Sequence, residues 1–352
     1  MQPTETTGRE LSSRGHLLEV MAVIDETPDA RSIVLRPTEA DRPTFTYQPG
    51  QFLTIRIPSD LTGHVARSYS LSSTPSLDED LKITVKRVPS GYGSNWLCDN
   101  VKAGVSMTVL PPAGRFTPSG YEGGLLLFAA GSGITPVMSI LKDALAQGIR
   151  PVTLFYANRD ADSVIFAREL DDLQAGHRAR LTVIHWFDNV EGVPAVERFA
   201  ELITVDASRE VFVCGPGPFM DVVGTAAESA GVPRERFHRE VFSSITGDPF
   251  APAPASDQGS AAETVDTTVL LDGVAHRFAW PTGTTLVDAL LAESVDVPYS
   301  CRSGECGSCV CRVVGGSVSG VVGDVFEPDE VAAGYVLGCQ SRPDEGPIEI
   351  EF

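Results

Sequence analysis

The sequence predicts a chain of three folded parts: an antiparallel β-barrel, an α/β domain built on a parallel sheet, and a C-terminal α+β domain. Short runs of alternating polarity fill residues 16–117, whereas continuous apolar runs alternate with helix-length stretches over residues 125–230. Beyond a stretch rich in Pro, Ala and Ser, a loop with closely spaced cysteines lies between predicted strands. A chain of 352 residues is long enough for three such cores.

The barrel is predicted from six short runs that are separated by Pro, Gly and Asp turns. The runs are Leu17–Ile24, Ser32–Arg36, Phe52–Ile57, Ser68–Ser72, Leu81–Val88 and Ser106–Leu110. Short alternating runs with turn residues between them are typical of an antiparallel barrel. We place this domain at residues 16–118 and expect the polar residues 1–15 to form a disordered tail.

Strands buried on both faces predict the parallel sheet of the second domain, residues 119–247. The apolar runs are Leu125–Ala130, Val152–Tyr156, Leu181–Trp186 and Val211–Cys214. The helix-length stretches are Pro136–Gln147, Ser163–Gln174 and Pro218–Ala230. Buried strands that alternate with helices form a parallel α/β sheet. Residues 248–263 carry Pro249, Pro252 and Pro254 among small residues, which predicts an exposed linker.

The last segment, residues 264–352, combines predicted strands with one helix. The strands lie near Thr267–Leu271 and Ile348–Phe352, and the helix covers Thr285–Glu293. Strands and a helix that flank a cysteine loop favour a separate α+β domain.

Four cysteines of this segment have the ligand spacing of a plant-type [2Fe–2S] cluster. Cys301, Cys306 and Cys309 form C-x4-C-x2-C, and Cys339 follows them. Glycines in the loop let the backbone curl, so that its thiolates and peptide N–H groups can both face the cluster. A structural zinc site, which normally shows two C-x2-C pairs, and unrelated core cysteines are the alternatives. Cys311 lies in an alternating run that predicts a strand, so it is left out of the ligand set.

Charge and hydropathy restrict the classes of partner. A formal net charge of −20 argues against nucleic acid, whose phosphates require a basic surface. Residues 263–352 hold 15 Asp and Glu against 4 Arg and no Lys, which suits a partner with a basic docking face or serves solubility alone. No apolar run reaches the roughly 18 residues of a membrane span. The first residues lack the core of a signal peptide, so we expect a cytoplasmic protein without a membrane partner.

Two segments at the ends of predicted parallel strands are candidate ligand-binding turns. Gly131-Ser132-Gly133-Ile134-Thr135-Pro136 opens a helix, which directs backbone N–H groups and the positive end of the helix dipole at a phosphate. This turn departs from the Rossmann fingerprint at Pro136. Cys214-Gly215-Pro216 ends a later strand, and ligands of open α/β sheets bind at such carboxyl ends.

Two barrel segments offer groups suited to an anionic or aromatic ligand. Arg67 and Tyr69 share one face of a strand, while Ser68 and Ser70 lie across the pleat. The segment Gly91-Tyr92-Gly93-Ser94 precedes a short helical stretch and is a second candidate anion site. Taken singly, Arg67 is explained as a surface charge and Ser94 as a helix cap.

The order of these four segments resembles that of the ferredoxin–NAD(P)+ reductase superfamily, and the resemblance covers residues 15–352. It implies a flavin domain, a nucleotide domain and a C-terminal ferredoxin domain of the β-grasp type. The tracts Ser90–Leu97, Tyr156–Asp160 and Cys214–Met220 are similar to the reductase components of 3-ketosteroid 9α-hydroxylases. The reductases of phenylacetyl-CoA epoxidases are similar in architecture, as are those of other ring-oxidising oxygenases.

The resemblance also implies roles for individual residues. The flavin would be bound by Arg67, Ser68, Tyr69, Ser70, Lys86, Gly91, Tyr92, Gly93, Ser94 and Thr135. The nicotinamide dinucleotide would be bound by Gly131, Gly133, Asn158, Arg159, Gly215 and Pro216. The catalytic residues around hydride transfer would be Ser70, Cys214, Glu240 and Phe242. An inert buried thiol is the alternative for Cys214.

The implied function is electron transfer from NADH through FAD and the cluster to a separate terminal oxygenase. FMN is the alternative flavin. NADPH is the alternative donor. Arg159 could pair with its 2′-phosphate, whereas the neighbouring Asp160 would repel that phosphate. The six histidines form no close cluster with carboxylates of the kind that binds a mononuclear iron. A non-catalytic iron–sulfur sensor or carrier is the alternative of another class, although it would need only the last 90 residues.

Overall fold

The computed structural model describes residues 15–121, 123–149, 151–204, 209–245, 247–251, 263–320, 325–326 and 328–352. These residues form three sheets. The chain divides into two compact units, of which one contains residues 17–59 and 67–243 and the other residues 60–66 and 244–352. Residues 1–14 of the predicted tail and 252–262 of the predicted linker lie outside the described residues. Within the described part of the chain, no helix is long and apolar enough to cross a membrane.

Six strands make the barrel, as the alternating runs predicted. They are β1 (His16–Thr27), β2 (Ala30–Arg36), β3 (Phe52–Ser59), β4 (Gly63–Ser70), β5 (Leu81–Lys86) and β6 (Ser106–Val109). Their order is β4-β3-β6-β1-β2-β5, and an antiparallel bridge between Leu71 and Ile83 joins the two edges. Helix α1 (Tyr92–Asn100) follows β5. Strand β4 begins five residues before the predicted Ser68, because a tight turn at Gly63, with φ +78°, lets pairing with β3 start earlier.

Five parallel strands form the second sheet, in the order β11-β10-β7-β8-β9. They are β7 (Leu125–Ala130), β8 (Val152–Asn158), β9 (Leu181–Phe187), β10 (Glu210–Cys214) and β11 (Phe237–Glu240). The helices are α2 (Ile134–Ala146), α3 (Ala167–Gly176), α4 (Asp188–Glu191), α5 (Val196–Thr204) and α6 (Gly217–Ser229). Helix α3 begins later than the predicted Ser163, because Phe166 has a left-handed φ of 64° that ends the preceding turn.

The third sheet has the order β13-β12-β16-β14-β15, with β12 and β16 parallel and the other pairs antiparallel. Its elements are β12 (Thr264–Leu271), β13 (Val274–Pro281), α7 (Leu286–Ala292), β14 (Val310–Ser319), α8 (Pro328–Ala332), β15 (Tyr335–Leu337) and β16 (Arg342–Glu351). Thr285 caps α7 by accepting a hydrogen bond from the Asp288 backbone N–H at 3.2 Å. The predicted α+β fold is confirmed, and its core lies between the sheet and α7 around the fully buried Trp280.

Candidate functional site

Strand β4 brings Arg67 and Tyr69 to one face, directly beneath the start of α1. A Cβ on Gly93 would lie 2.9 Å from the Arg67 Cγ and 3.5 Å from the Tyr69 hydroxyl, so the backbone of α1 packs onto these side chains. Ser68 faces the other way, with its Oγ 3.0 Å from the Thr54 Oγ1 on β3. The predicted alternation along β4 is confirmed. Burial raises the pKa of Tyr69, so its hydroxyl stays neutral at physiological pH.

The N-terminus of α1 has no side-chain cap. Its N-cap residue is Gly91. The Ser94 hydroxyl does not cap the helix either, because it accepts from the Val88 N–H at 3.0 Å and fixes the preceding loop. The exposed Tyr92 donates from its hydroxyl to the Pro58 carbonyl at 2.7 Å. An uncapped helix N-terminus beside an arginine suits a phosphate group, as the predicted anion site requires.

The glycine turn between β7 and α2 is held from two sides. Gly131 has φ +54°, and its carbonyl accepts a hydrogen bond from the hydroxyl of the buried Tyr156 at 3.1 Å. A Cβ on Gly133 would lie 2.1 Å from the Cys214 carbonyl oxygen, so only glycine allows the end of β10 this close. The Lys86 Nζ lies 4.0 Å from where a Gly131 Cβ would stand. The glycine turn, the end of β10 and a barrel lysine therefore meet.

Tyr156 supports the glycine turn, a role that the sequence did not predict. Its hydroxyl donates to the turn and accepts from the Ile165 N–H at 3.3 Å, which links the turn to the loop before α3. A lone phenol within a buried apolar run was the available signal, because a buried hydroxyl needs a hydrogen-bond partner.

Ser70 and Thr135 are both buried, and Thr135 is the second residue of α2, directly after the glycine turn. Ser70 is the last residue of β4. The Thr135 hydroxyl donates to the Ser132 carbonyl at 3.1 Å and so stiffens the turn from within. Contacts of these two residues with a flavin stay predictions.

The ends of β10 and β11 place a thiol beside a carboxyl group. Cys214 pairs in register with Glu240. Burial, and then the Glu240 carboxyl, raise the pKa of the Cys214 thiol, so this sulfur is neutral. Burial raises the pKa of Glu240 to about 8, although part of the residue still reaches the surface. Phe242, two residues further on, leaves 51% of its surface exposed.

Replacing Glu240 with Gln is expected to raise stability increasingly between about pH 5 and pH 8. The folded carboxyl keeps its proton up to about pH 8, whereas the unfolded group ionises near 4.5. The unfolded state therefore binds fewer protons in this window, and the stability of the native protein falls as the pH rises. The neutral amide does not have this loss, so its Tm should exceed that of the native protein by several degrees at pH 8. A difference that thermal denaturation finds constant from pH 4.5 to pH 8 would contradict the protonated carboxyl.

The end of β8 carries Asn158, Arg159 and Asp160. Asn158 is buried, and among the described residues neither atom of its amide has a hydrogen-bond partner of good geometry, although it lies close enough to Tyr156 to lower the pKa of that hydroxyl. Arg159 is exposed and donates to the Asp160 carboxylate at 3.0 Å and the Ser163 hydroxyl at 2.9 Å. Hydrogen bonds from Ser163, and then Arg159, lower the pKa of Asp160, so it carries a full negative charge.

The four predicted cluster ligands come together in the third sheet's domain. Cys301, Cys306 and Cys309 lie in the loop before β14, and Cys339 follows β15. The Cys301 thiol lies within hydrogen-bonding reach of Cys306 and Cys339, and the Cys309 thiol within reach of Cys339. These neighbours lower the pKa of Cys301 and of Cys309. Cys311 points instead from β14 into the core, where burial raises its pKa, as expected for a side chain outside the ligand set.

Backbone N–H groups of the loop donate to these sulfurs. The bonds run from Cys301 N to Cys306 Sγ (3.5 Å), from Ser303 N to Cys301 Sγ (3.4 Å) and from Cys339 N to Cys309 Sγ (3.4 Å). Gly304, with φ +84°, allows the curl, and its missing side chain leaves room for Gln340. Donors directed at sulfur stabilise thiolates, and the buried Ser303 hydroxyl lies close enough to Cys301 to contribute to the lowered pKa of that thiol. The loop therefore fits a [2Fe–2S] cluster.

A single-ion site has a different arrangement from this one. Among the described residues, no three His, Cys, Asp or Glu side chains are placed to hold one metal ion. A two-iron cluster takes its four thiolates in pairs, so its ligands need not surround one point.

Comparisons with known proteins agree with these three parts. Residues 18–117 match an oxidoreductase FAD-binding domain, residues 127–225 an oxidoreductase NAD-binding domain, and residues 269–344 a 2Fe-2S iron–sulfur cluster binding domain. The ferredoxin reductase component of 3-ketosteroid-9-alpha-monooxygenase from Rhodococcus rhodochrous is 53% identical over 343 residues, 97% of each chain. The chain belongs to the family of these reductase components. As a member of this reductase family, it is an NAD(P)H-dependent flavin and iron–sulfur oxidoreductase with FAD and a [2Fe–2S] cluster as its cofactors.

Two further proteins show how widely the architecture of this reductase family extends. A component of 1,2-phenylacetyl-CoA epoxidase from Escherichia coli (strain K12) is 30% identical over 356 residues, 96% of this chain and 97% of that relative. The solved structure of phthalate dioxygenase reductase superposes with a TM-score of 0.57 at 23% identity and covers 96% of this chain and 98% of that chain. The likeness to phthalate dioxygenase reductase shows the fold alone.

Proposed function

We propose that this reductase takes electrons from NADH and delivers them to a separate terminal oxygenase that hydroxylates a 3-ketosteroid. The identity of 53% with the Rhodococcus rhodochrous component supports the steroid system over the phenylacetyl-CoA system, whose component is 30% identical. The acidic residues of segment 263–352 suit a basic docking face on that oxygenase. A cytoplasmic location is part of the proposal, because none of its seven cysteines forms a disulfide, which suits a reducing compartment.

The observation that carries the proposed hydride-transfer site is the meeting of Gly133, Cys214 and Lys86 in the same compact unit as Arg67 and Tyr69. FAD, when bound, would supply the chemistry that links a two-electron hydride donor to the one-electron cluster. Arg67 and the N-terminus of α1 would bind the flavin phosphates, and Tyr69 would contact the ring system.

The nucleotide domain supplies the remaining groups of the proposed site. The turn Gly131–Gly133 binds the pyrophosphate with its N–H groups, and the buried Asn158 amide finds its missing partners on the nucleotide. The neutral Cys214 packs beside the nicotinamide without reacting with it. Protonated Glu240 donates a hydrogen bond, and Phe242 excludes water.

We propose NADH as the donor because the positive charge of Arg159 is already paired with the Asp160 carboxylate. Its guanidinium is bound to Asp160 and Ser163, and the ionised Asp160 would repel a 2′-phosphate placed at this edge. The same carboxylate suits a ribose 2′-hydroxyl, which can donate to it.

Asp160→Asn should improve the use of NADPH. The substitution removes the repelling charge and frees the Arg159 guanidinium for a phosphate, so we expect kcat/KM for NADPH to rise by roughly tenfold. The value for NADH should fall or stay level. Steady-state assays with both donors measure this ratio, and Asp162→Asn in the neighbouring turn is the matched control. An unchanged ratio would refute the assignment of the ribose edge to β8.

The proposed function is tested by anaerobic addition of NADH to the purified protein. Loss of both the flavin and the iron–sulfur absorbance within the turnover time is expected for a reductase, whereas an unreduced cluster would favour a sensor or carrier. Reconstitution with a purified terminal oxygenase should then support oxidation of a 3-ketosteroid. Support of phenylacetyl-CoA oxidation alone would overturn the proposed substrate class.

A further inference from the structure

One face of α2 is polar although it is buried. Ser139, Lys142 and Asp143 stand at helical spacings of three and four residues and so share a face. They leave 0%, 5% and 4% of their surface exposed. A buried helix face normally carries apolar residues, and lysine is almost never fully buried unless it is paired.

All three side chains are bound to one segment of the barrel, residues 73–78, between β4 and β5. The bonds run from Ser139 Oγ to Ser73 O (2.6 Å), from Lys142 Nζ to Asp78 Oδ2 (2.7 Å) and from Thr74 Oγ1 to Asp143 Oδ1 (3.3 Å). Hydrogen bonds are directional, whereas an apolar contact permits sliding. The three polar side chains of α2 therefore fix both the rotation of the helix about its axis and its position along the barrel.

A second acid completes the charge balance around Lys142. Glu169, in the first turn of α3, lies 3.2 Å from the Lys142 Nζ and 3.2 Å from the Nζ of Lys82 on β5. The Lys82 ammonium also lies 5.2 Å from the ring centre of Phe166. Two lysines and two carboxylates thus join the barrel to α2 and α3. A network of this kind contributes more to a defined geometry than to net stability, because desolvation offsets much of the attraction between the charges.

The two segments that these bonds join, α2 and residues 73–78, each continue into a part of the proposed hydride-transfer site. Lys142 is nine residues from Gly133 along one helix, about 13 Å at 1.5 Å per residue. Ser73 is three residues from Ser70, the last residue of β4. A shift of α2 against the barrel therefore moves the glycine turn relative to β4.

We propose that Lys142 is a positioning residue for hydride transfer: its ion pairs with Asp78 and Glu169 fix α2 on the barrel, and so set how the nicotinamide meets the flavin. The inference rests on the proposed hydride-transfer site. The chemistry is the same in every variant, since NADH loses a hydride, two electrons with one proton, and the flavin gains it. Only the approach distance changes, and a misplacement of about 1 Å can lower such a rate by about a hundredfold.

The test is anaerobic rapid mixing of the full-length holoprotein with NADH. We expect Lys142→Met and Asp78→Asn to lower the limiting rate of flavin reduction by at least about tenfold, with the Kd for NADH changed by less than about twofold. Arg36→Met is the matched control, because it removes an ion pair of 2.7 Å to Asp80 that lies wholly within the barrel. This control should reduce flavin at the native rate.

A stability measurement separates positioning from folding. Lys142→Met leaves the Asp78 carboxylate without its buried partner, so we expect a lower Tm. The double variant Lys142→Met/Asp78→Asn should recover part of the lost Tm, because it removes the unpaired carboxylate while Glu169 retains its ion pair with Lys82. If Lys142 positions α2, the double variant regains Tm while its reduction rate stays low. Recovery of the rate together with Tm, or a native rate in both single variants, would overturn the inference. If NADH failed to reduce the flavin of the wild-type protein, the proposed function itself would be refuted.

Discussion

Cys306→Ser is expected to abolish electron delivery to the oxygenase while NADH oxidation continues. Cys306 is one of four thiols that lie together in the third sheet's domain, and its Sγ accepts a hydrogen bond from the Cys301 N–H at 3.5 Å. Serine is a poor ligand for iron at neutral pH, because its hydroxyl stays protonated where a thiol near iron ionises. The iron–sulfur absorbance should disappear, and oxygenase-coupled turnover should fall to background.

The flavin and nucleotide groups belong to the other compact unit, so NADH-dependent reduction of ferricyanide should remain close to the native rate. Cys311→Ser is the control in the same domain, since Cys311 is also a cysteine next to the loop, but it is buried in the core with its sulfur 3.9 Å from the Val336 carbonyl and outside the ligand set. It should retain the iron–sulfur absorbance. Normal oxygenase coupling in the Cys306→Ser protein would exclude the proposed electron path.

The cluster ligands were readable from the sequence because their signal is local. Three ligands within nine residues require a curled loop, and the glycines that allow it are adjacent. The barrel and the parallel sheet were predicted for a similar reason, since each strand carries its own pattern of polarity. Strand β11 (Phe237–Glu240) was missed because a short, polar strand at a sheet edge, Phe-His-Arg-Glu, has no such pattern. The amphipathic helix α5 was also missed, and nine residues give only a weak periodic signal.

Long-range partners could not be read in this way. Lys142 in the run Ile-Leu-Lys-Asp-Ala has the local sequence of an exposed position, and only the barrel packed against α2 makes it buried and paired. The alternative that Ser94 is a helix cap was wrong, because its hydroxyl turns back to Val88. Roles at the flavin and nucleotide sites depend on residues that meet from distant parts of the chain, such as Gly133 and Cys214, whose distance in sequence hides their contact.

Gly133→Ala is expected to reduce the NADH reaction by at least about a hundredfold. The new Cβ would lie 2.1 Å from the Cys214 carbonyl oxygen and 2.4 Å from its carbonyl carbon. These are backbone atoms of a buried strand, so they cannot rotate away as a flexible side chain would. Either the glycine turn or the end of β10 must shift, and the pyrophosphate and nicotinamide positions then separate. The overpacking should also lower stability by about 1–3 kcal/mol.

The contrast with a harmless glycine makes this prediction decisive. Gly176, the last residue of α3 in the same domain, has no atom within 4 Å of an added Cβ, so Gly176→Ala should react normally and be slightly stabilised. Both variants should keep their flavin and iron–sulfur absorbance and be reduced by dithionite, because neither position lies in the barrel or in the cysteine loop. Anaerobic rapid mixing with NADH measures the difference. If Gly133→Ala reacted at the native rate with its chromophores intact, the close approach of β10 to the turn would not be the basis of nucleotide binding.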